Sequence, residues 1–143
     1  MKISLKGGQD FYWISTKNRQ EELDRRGGIL LKTAGETRGN PGEAGTGLII
    51  YHREQKVLEQ SFYIGNHITK SAAEYISIII ALKLLRRTFR CVRNKIIIIN
   101  IKSDLVVNQI RNVWRIRNPK LYLLHNIIMA QLQNLNYYIE HIP

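Results

Sequence analysis

Residues 96–102 read Ile-Ile-Ile-Ile-Asn-Ile-Lys. No amphipathic period fits a run with so little polar surface. Its β-branched side chains and short length describe a strand buried on both faces of a sheet. Such a strand needs sheet neighbours and helical cover, so the other elements must supply them.

The flanking sequence does so. Residues 29–34 form a second apolar run and read as a buried strand. The cluster Gly39-Asn40-Pro41-Gly42 is a turn. Residues 45–51 and 57–64 are two further strands, with Phe62 and Ile64 on one face, and residues 66–70 end the third. Residues 71–87 are helical. Ile76, Ile79, Ile80, Leu82, Leu84 and Leu85 leave that helix little polar surface, so it lies against a sheet. Ser71 and Glu74 have capping-box spacing, which places the N-cap at Ser71. Residues 104–111 form a short helix capped by Ser103. A basic loop over 111–118 ends at Pro119. Residues 120–134 are an amphipathic helix carrying Leu121, Leu124, Ile128 and Leu132 on one side, and 137–141 are a last strand. The order β-β-β-α-β-α-α-β gives an antiparallel meander followed by strands reached through helices. A mixed α/β sheet with helices on its faces follows. Residues 1–28 show no clean period. They read as an N-terminal extension, with a short polar helix over 16–26, ahead of one domain at 29–143.

Charge narrows the function. Lys and Arg number 22 against 11 Asp and Glu, a formal net charge of +11. Residues 83–120 alone hold eleven basic side chains and the single acid Asp104. That excess exceeds what solubility needs and is the footprint of a polyanion binder. Hydrophobic residues at 44% exclude wholesale disorder. No apolar run is long enough for a helical membrane span. Cys91 is the one cysteine, so no intrachain disulfide forms, and it reads as a small buried residue. The first residues lack the apolar core of a signal peptide, and nothing in the sequence names a compartment.

Four segments, in order, carry a resemblance. Gly35-Glu36-Thr37-Arg38-Gly39-Asn40-Pro41-Gly42-Glu43-Ala44-Gly45 is similar to the first hairpin of the ribonuclease H family, type 1 branch. Thr69-Lys70-Ser71-Ala72-Ala73-Glu74-Tyr75 resembles the start of its first helix. Ser103-Asp104-Leu105-Val106-Val107-Asn108-Gln109, followed by Asn118-Pro119-Lys120-Leu121, resembles its next conserved-type segment, and His141-Ile142-Pro143 resembles the residues after its fifth strand. The resemblance covers roughly residues 29–143. It implies a ribonuclease H-like fold with a mixed five-stranded sheet. The family's last helix would lie beyond Pro143 and so is missing from the expected fold.

The resemblance also implies a chemistry and departures from it. The family hydrolyses the RNA strand of an RNA–DNA hybrid with two magnesium ions, which take oxygen ligands from clustered carboxylates. Of those carboxylate positions the first is Ala34 here, the second is kept as Glu74, the third is Lys102, and the fourth falls beyond Pro143. The changes add +1, +2 and +1 of charge. Asp104 reaches the site only through a register slip; otherwise it complements the dipole of its helix. Glu74 and Lys102 are expected to pair across the old cavity.

The remaining candidates each have two readings. The Gly39–Asn40 turn is either a hairpin alone or a backbone approach to nucleic acid, with Arg38 beside it. The family's paired asparagines are Lys70 and Ser71 here, and Lys70 suits phosphate. Arg86, Arg87, Arg90, Arg93, Arg111, Arg115, Arg117 and Lys120 are expected to form one continuous positive surface. Trp114 either stacks on a base or anchors its loop in the core. His52, His125 and His141 lack metal-ligand spacing and read as strand-end or helix-surface residues; His67 has no evident partner. The reading that results is an RNA-binding ribonuclease H-like protein that has lost catalysis. It would need no cofactor and serve a ribonucleoprotein assembly, with structured or ribosomal-type RNA and protein subunits as partners. The alternatives are a magnesium-dependent hybrid endoribonuclease with a rearranged site, and a protein-interaction module completed by a partner.

Overall fold

The computed structural model describes residues 2–4, 10–12 and 27–142. Strands β1 (Lys2–Ser4) and β2 (Asp10–Tyr12) pair antiparallel as a small ribbon, an element the sequence reading did not contain. The polar helix expected over 16–26 lies outside the described residues.

The main sheet is built as the residue pattern requires. β3 (Ile29–Gly39), β4 (Gly42–His52) and β5 (Gln55–Ile68) form the antiparallel meander. β6 (Ile96–Ile101) lies parallel to β3, and β7 (Asn136–His141) parallel to β6, giving the order β5-β4-β3-β6-β7. Every residue of β6 is buried, as its isoleucine run dictates. The two β3 and β4 strands run unbroken to the Gly39–Gly42 turn, where Gly39 has φ +86° and the Asn40–Pro41 peptide is cis. β5 is longer than expected, reaching Ile68 through a bulged pairing with β4 rather than breaking at residue 66. It is the sheet edge and mostly exposed, so it carries no apolar alternation by which its length can be read.

Three helices complete the described chain: α1 (Lys70–Thr88), α2 (Asp104–Ile110) and α3 (Pro119–Leu132). Tyr75, Ile78, Leu82 and Leu85 of α1 pack on Leu31, Leu48, Ile50, Ile97 and Ile99 of the sheet, and Ile128 and Leu132 of α3 join that core. The N-cap of α1 is Thr69, not Ser71. β5 keeps the chain extended to Ile68, so Thr69 is the first residue free to cap, and its Oγ1 accepts from the Ala72 N–H at 3.2 Å. Ser71 therefore lies inside the helix and no capping box forms. Ser103 caps α2 as expected, accepting from the Val106 N–H at 3.2 Å. Asn118 caps α3 by accepting from Lys120 and Leu121, with Pro119 following it.

β3 and α1 approach closely at Gly35. A Cβ on Gly35 would lie 2.4 Å from the Ala73 carbonyl carbon and 2.6 Å from the Glu74 nitrogen. One turn along the helix, the buried Ser77 hydroxyl donates to the Ala73 carbonyl at 2.7 Å and lies 3.1 Å from that of Ala34. Between the helices, the Tyr75 hydroxyl donates to Gln109 Oε1 at 2.7 Å, and burial pushes the Tyr75 pKa up to about 12. His125, expected at a surface, is buried on the inner face of α3. Burial pushes its pKa down, opposed by the Gln109 backbone and the Asn126 side chain.

Two predictions follow from this packing. Gly35→Ala forces backbone apart from backbone, and urea denaturation should show a loss near the upper end of the roughly 1–3 kcal/mol typical of overpacking. Burial disfavours the protonated form of His125, so its contribution to stability is complete above its unfolded pKa of about 6.5 and declines as pH falls below it. Melting temperatures should therefore drop on acidification from about pH 7.5 to about pH 5.5 more in wild type than in His125→Leu.

Candidate nucleic-acid interface

The parallel register sets Thr33 beside Ile101, so Ala34, in the middle of β3, lies next to Lys102, the first residue past the end of β6. The Gly35–Ala73 approach brings the first turn of α1 over the same spot. Between them lies a cavity of about 350 Å³ lined by Ala34, Gly35, Glu36, Asn40, Lys70, Ser71, Glu74, Lys102 and Ser103. Three sequence candidates, Ala34, Glu74 and Lys102, are thus brought together, along with Asn40 and Lys70.

Glu36 was not foreseen as a member. It follows Ala34 by two residues on an alternating strand and so shares its face, a signal the sequence did contain. Asp104 does not line the cavity. Its carboxylate instead accepts from Asn108 Nδ2 at 2.9 Å on the exposed side of α2, so the register slip is not seen.

Charge in the cavity is mixed. Burial pushes the Glu74 pKa up; Lys70 opposes that, Glu36 reinforces it, and Lys102 and the Ser103 backbone oppose it. The expected direct ion pair between Glu74 and Lys102 does not form: the two interact through space, with Lys102 exposed. The backbone of Lys102 is fixed, because its carbonyl lies 3.0 Å from the His141 ring nitrogen. Lys70 is fixed similarly, its N–H donating to Asn40 Oδ1 at 3.0 Å across the hairpin tip. Two carboxylates faced by two ammonium groups do not match the oxygen-rich donor set that a pair of magnesium ions takes. No three His, Cys, Asp or Glu side chains converge on one point among the described residues.

The basic groups divide. Arg38 and Gly39 are exposed at the β3–β4 hairpin. Arg86 and Arg87 occupy the last turn of α1, with Arg90 and Arg93 exposed just beyond it. Arg115, Arg117 and Lys120 are exposed at the other end of α3. Arg86 donates to the Gln131 carbonyl near the C-terminal end of α3, eleven residues and roughly 16 Å of helix beyond Lys120. The expected continuous surface is therefore two separate clusters. Arg111 belongs to neither. It is half-buried, and its guanidinium donates to the Ile139 carbonyl, tying α2 to β7.

The single residues sort as follows. Trp114 is 43% exposed, so it does not anchor its loop in the core. Cys91 is exposed rather than buried, because it falls in the polar loop after α1. His52 ends β4 with its ring edge-on to Phe89 at 5.3 Å, His67 is exposed with φ +56°, and His141 ends β7. Phe62 and Tyr63 open onto a shallow hollow beside Arg38 and Glu43, which the sequence reading did not single out.

This arrangement has relatives. The Reverse transcriptase-like family profile matches residues 32–143. The bifunctional protein Rv2228c of Mycobacterium tuberculosis is 29% identical over 116 residues, covering 76% of this chain and 30% of that protein. The chain thus spans under a third of the curated relatives it matches. The crystal structure of LC11-RNase H1 in complex with an RNA/DNA hybrid is 32% identical with a TM-score of 0.75, over 80% of this chain and 85% of that one. RNase H1 from the halophilic archaeon Halobacterium salinarum is 26% identical with a TM-score of 0.72, over 82% and 86%. The profile match over residues 32–143 and the likeness to these solved structures place this chain in the Reverse transcriptase-like family, with the ribonuclease H fold.

Proposed function

We propose that this protein binds nucleic acid through a ribonuclease H surface and does not cleave it by the two-metal route. The observation that carries this reading is the cavity itself. Ala34 offers no ligand atom, and Lys102 puts an ammonium where a divalent cation would need an oxygen. The bound hybrid in the LC11-RNase H1 structure supports the class of partner. The net charge of +11 and the exposed clusters around Arg87 and Arg117 support a polyanion. Lys and Arg contacts to phosphates fix position and carry no sequence information. This suits a structural role on folded RNA, of ribosomal type, within a ribonucleoprotein whose protein subunits cover the rest of the surface.

A second reading rests on Glu36 and Glu74, which both line the cavity. Two carboxylates are the minimum for a rearranged magnesium-dependent hybrid endoribonuclease. A third, a module completed by a protein partner, is favoured by the exposed apolar side chains Tyr122, Leu123 and Ile127 on the outer face of α3.

Two measurements decide among these. Incubation of an end-labelled RNA–DNA hybrid with the protein and magnesium or manganese should leave it intact; metal-dependent cutting abolished by Glu74→Ala would establish the second reading. Titration of labelled RNA across a salt series should show log affinity falling linearly with log salt. About six phosphate contacts on irregular RNA give a slope near −4, and replacing Arg115, Arg117 and Lys120 together by Ala should flatten it by about 2. Absent or salt-insensitive binding would favour the protein partner.

A further inference from the structure

We propose that the ammonium groups of Lys102 and Lys70 hold a backbone phosphate of the nucleic acid directly, with no divalent cation between them. This rests on the nucleic-acid-binding reading and specifies how its central cavity is used.

The charges are the starting point. Glu36 and Glu74 contribute two negative charges to the cavity, and Lys70 and Lys102 contribute two positive ones. A cavity holding the carboxylates alone would repel a phosphodiester. Here the opposing charge is built into the chain. Neither lysine is consumed by a direct ion pair with Glu74, although both act on it through space. Both are exposed, so their donors face solvent and an incoming anion.

Their roots are rigid while their heads are free. Lys102 follows β6 directly, and its carbonyl is held by the His141 ring at 3.0 Å. Lys70 opens α1, and its N–H is held by Asn40 at 3.0 Å. A lysine in that setting is a compact charge with three donors on a flexible stem, which suits a single phosphate oxygen better than a planar fork does. The 19-residue helix α1 points its positive end into the same space, and the Ser71 side chain lines the cavity beside it. Both lysines, Ser71 and the helix end border the one cavity of about 350 Å³.

The test is fluorescence anisotropy of a short labelled RNA–DNA hybrid with the full chain. It is run in EDTA and in magnesium at matched ionic strength. Wild-type affinity should agree within about twofold between the two buffers. Lys102→Ala should bind about tenfold more weakly at low salt, as expected for one charge-assisted contact, and its salt slope should be shallower by about 1. Lys70→Ala should behave likewise and serves as the second variant if the first fails to fold. Lys83→Ala removes the same charge from the exposed middle of α1 and should stay within about threefold of wild type. Wild-type binding that requires magnesium, or a Lys102→Ala loss no greater than that of Lys83→Ala, overturns the proposal while leaving nucleic-acid binding in place. Wild type that fails to bind in either buffer overturns both.

Discussion

Everything around the cavity depends on the absence of one side chain. Gly35 lets the backbone of β3 touch the backbone of α1, at a spacing where a methyl group would sit 2.4 Å from the Ala73 carbonyl carbon. Ser77 secures the contact from one turn further on. Behind it, Tyr75, Ile78 and Leu82 bury themselves on β3, β4 and β6, so the helix cannot slide without opening the core. The position of Glu74 over Ala34 is therefore a product of packing. The parallel register of β3 and β6 sets Lys102 in the same way. None of these constraints involves the chemistry of the side chains at the cavity, which is why Ala and Lys can stand at two of its positions with the fold unchanged.

Electrostatics acts on that fixed geometry. Clustered carboxylates near a buried position repel one another and raise each other's pKa, a penalty that bound cations offset. Here burial and Glu36 still push the Glu74 pKa up, but Lys70 and Lys102 work against them. The cavity is balanced by groups that are part of the chain. Lys102 thus brings an ammonium, and not a further carboxylate, to the balance around Glu74.

The sequence revealed most of this fold because its strongest signals are local. The isoleucine run at 96–101, the Gly39–Gly42 turn and the Ser103 cap each specify backbone geometry within a few residues, and each is found in place. What was not legible depends on long-range packing. Thr69 outcompetes Ser71 as a cap because β5 extends to Ile68, and β5 is an exposed edge without apolar alternation. Arg111 resembles its basic neighbours in sequence, yet the end of α2 faces β7 and its guanidinium is drawn to the Ile139 carbonyl. The eleven basic residues over 83–120 read as one block along the chain. Two of the fold's helices lie side by side and separate that block into two ends.

The two ends are not equivalent physically. Arg86 and Arg87 sit in the last turn of α1, where cations complement the helix dipole, and Arg86 also satisfies the Gln131 carbonyl. Fold stability is a sufficient reason for them. Lys120 and Lys70 stand in the first turns of α3 and α1, neither of which carries an acidic residue. A cation there opposes the dipole by about 0.3–1 kcal/mol; Glu74, one turn on, offsets this for Lys70, but Lys120 has no such carboxylate on its helix. No Asp or Glu occurs between Asp104 and Glu140 to balance Arg115, Arg117 and Lys120. Charge placed where it weakens the folded chain but strengthens attraction for an anion points to binding rather than to folding. That distinction favours Lys120, with Arg115 and Arg117 beside it, over the arginines at the end of α1 for the proposed contact with an anion.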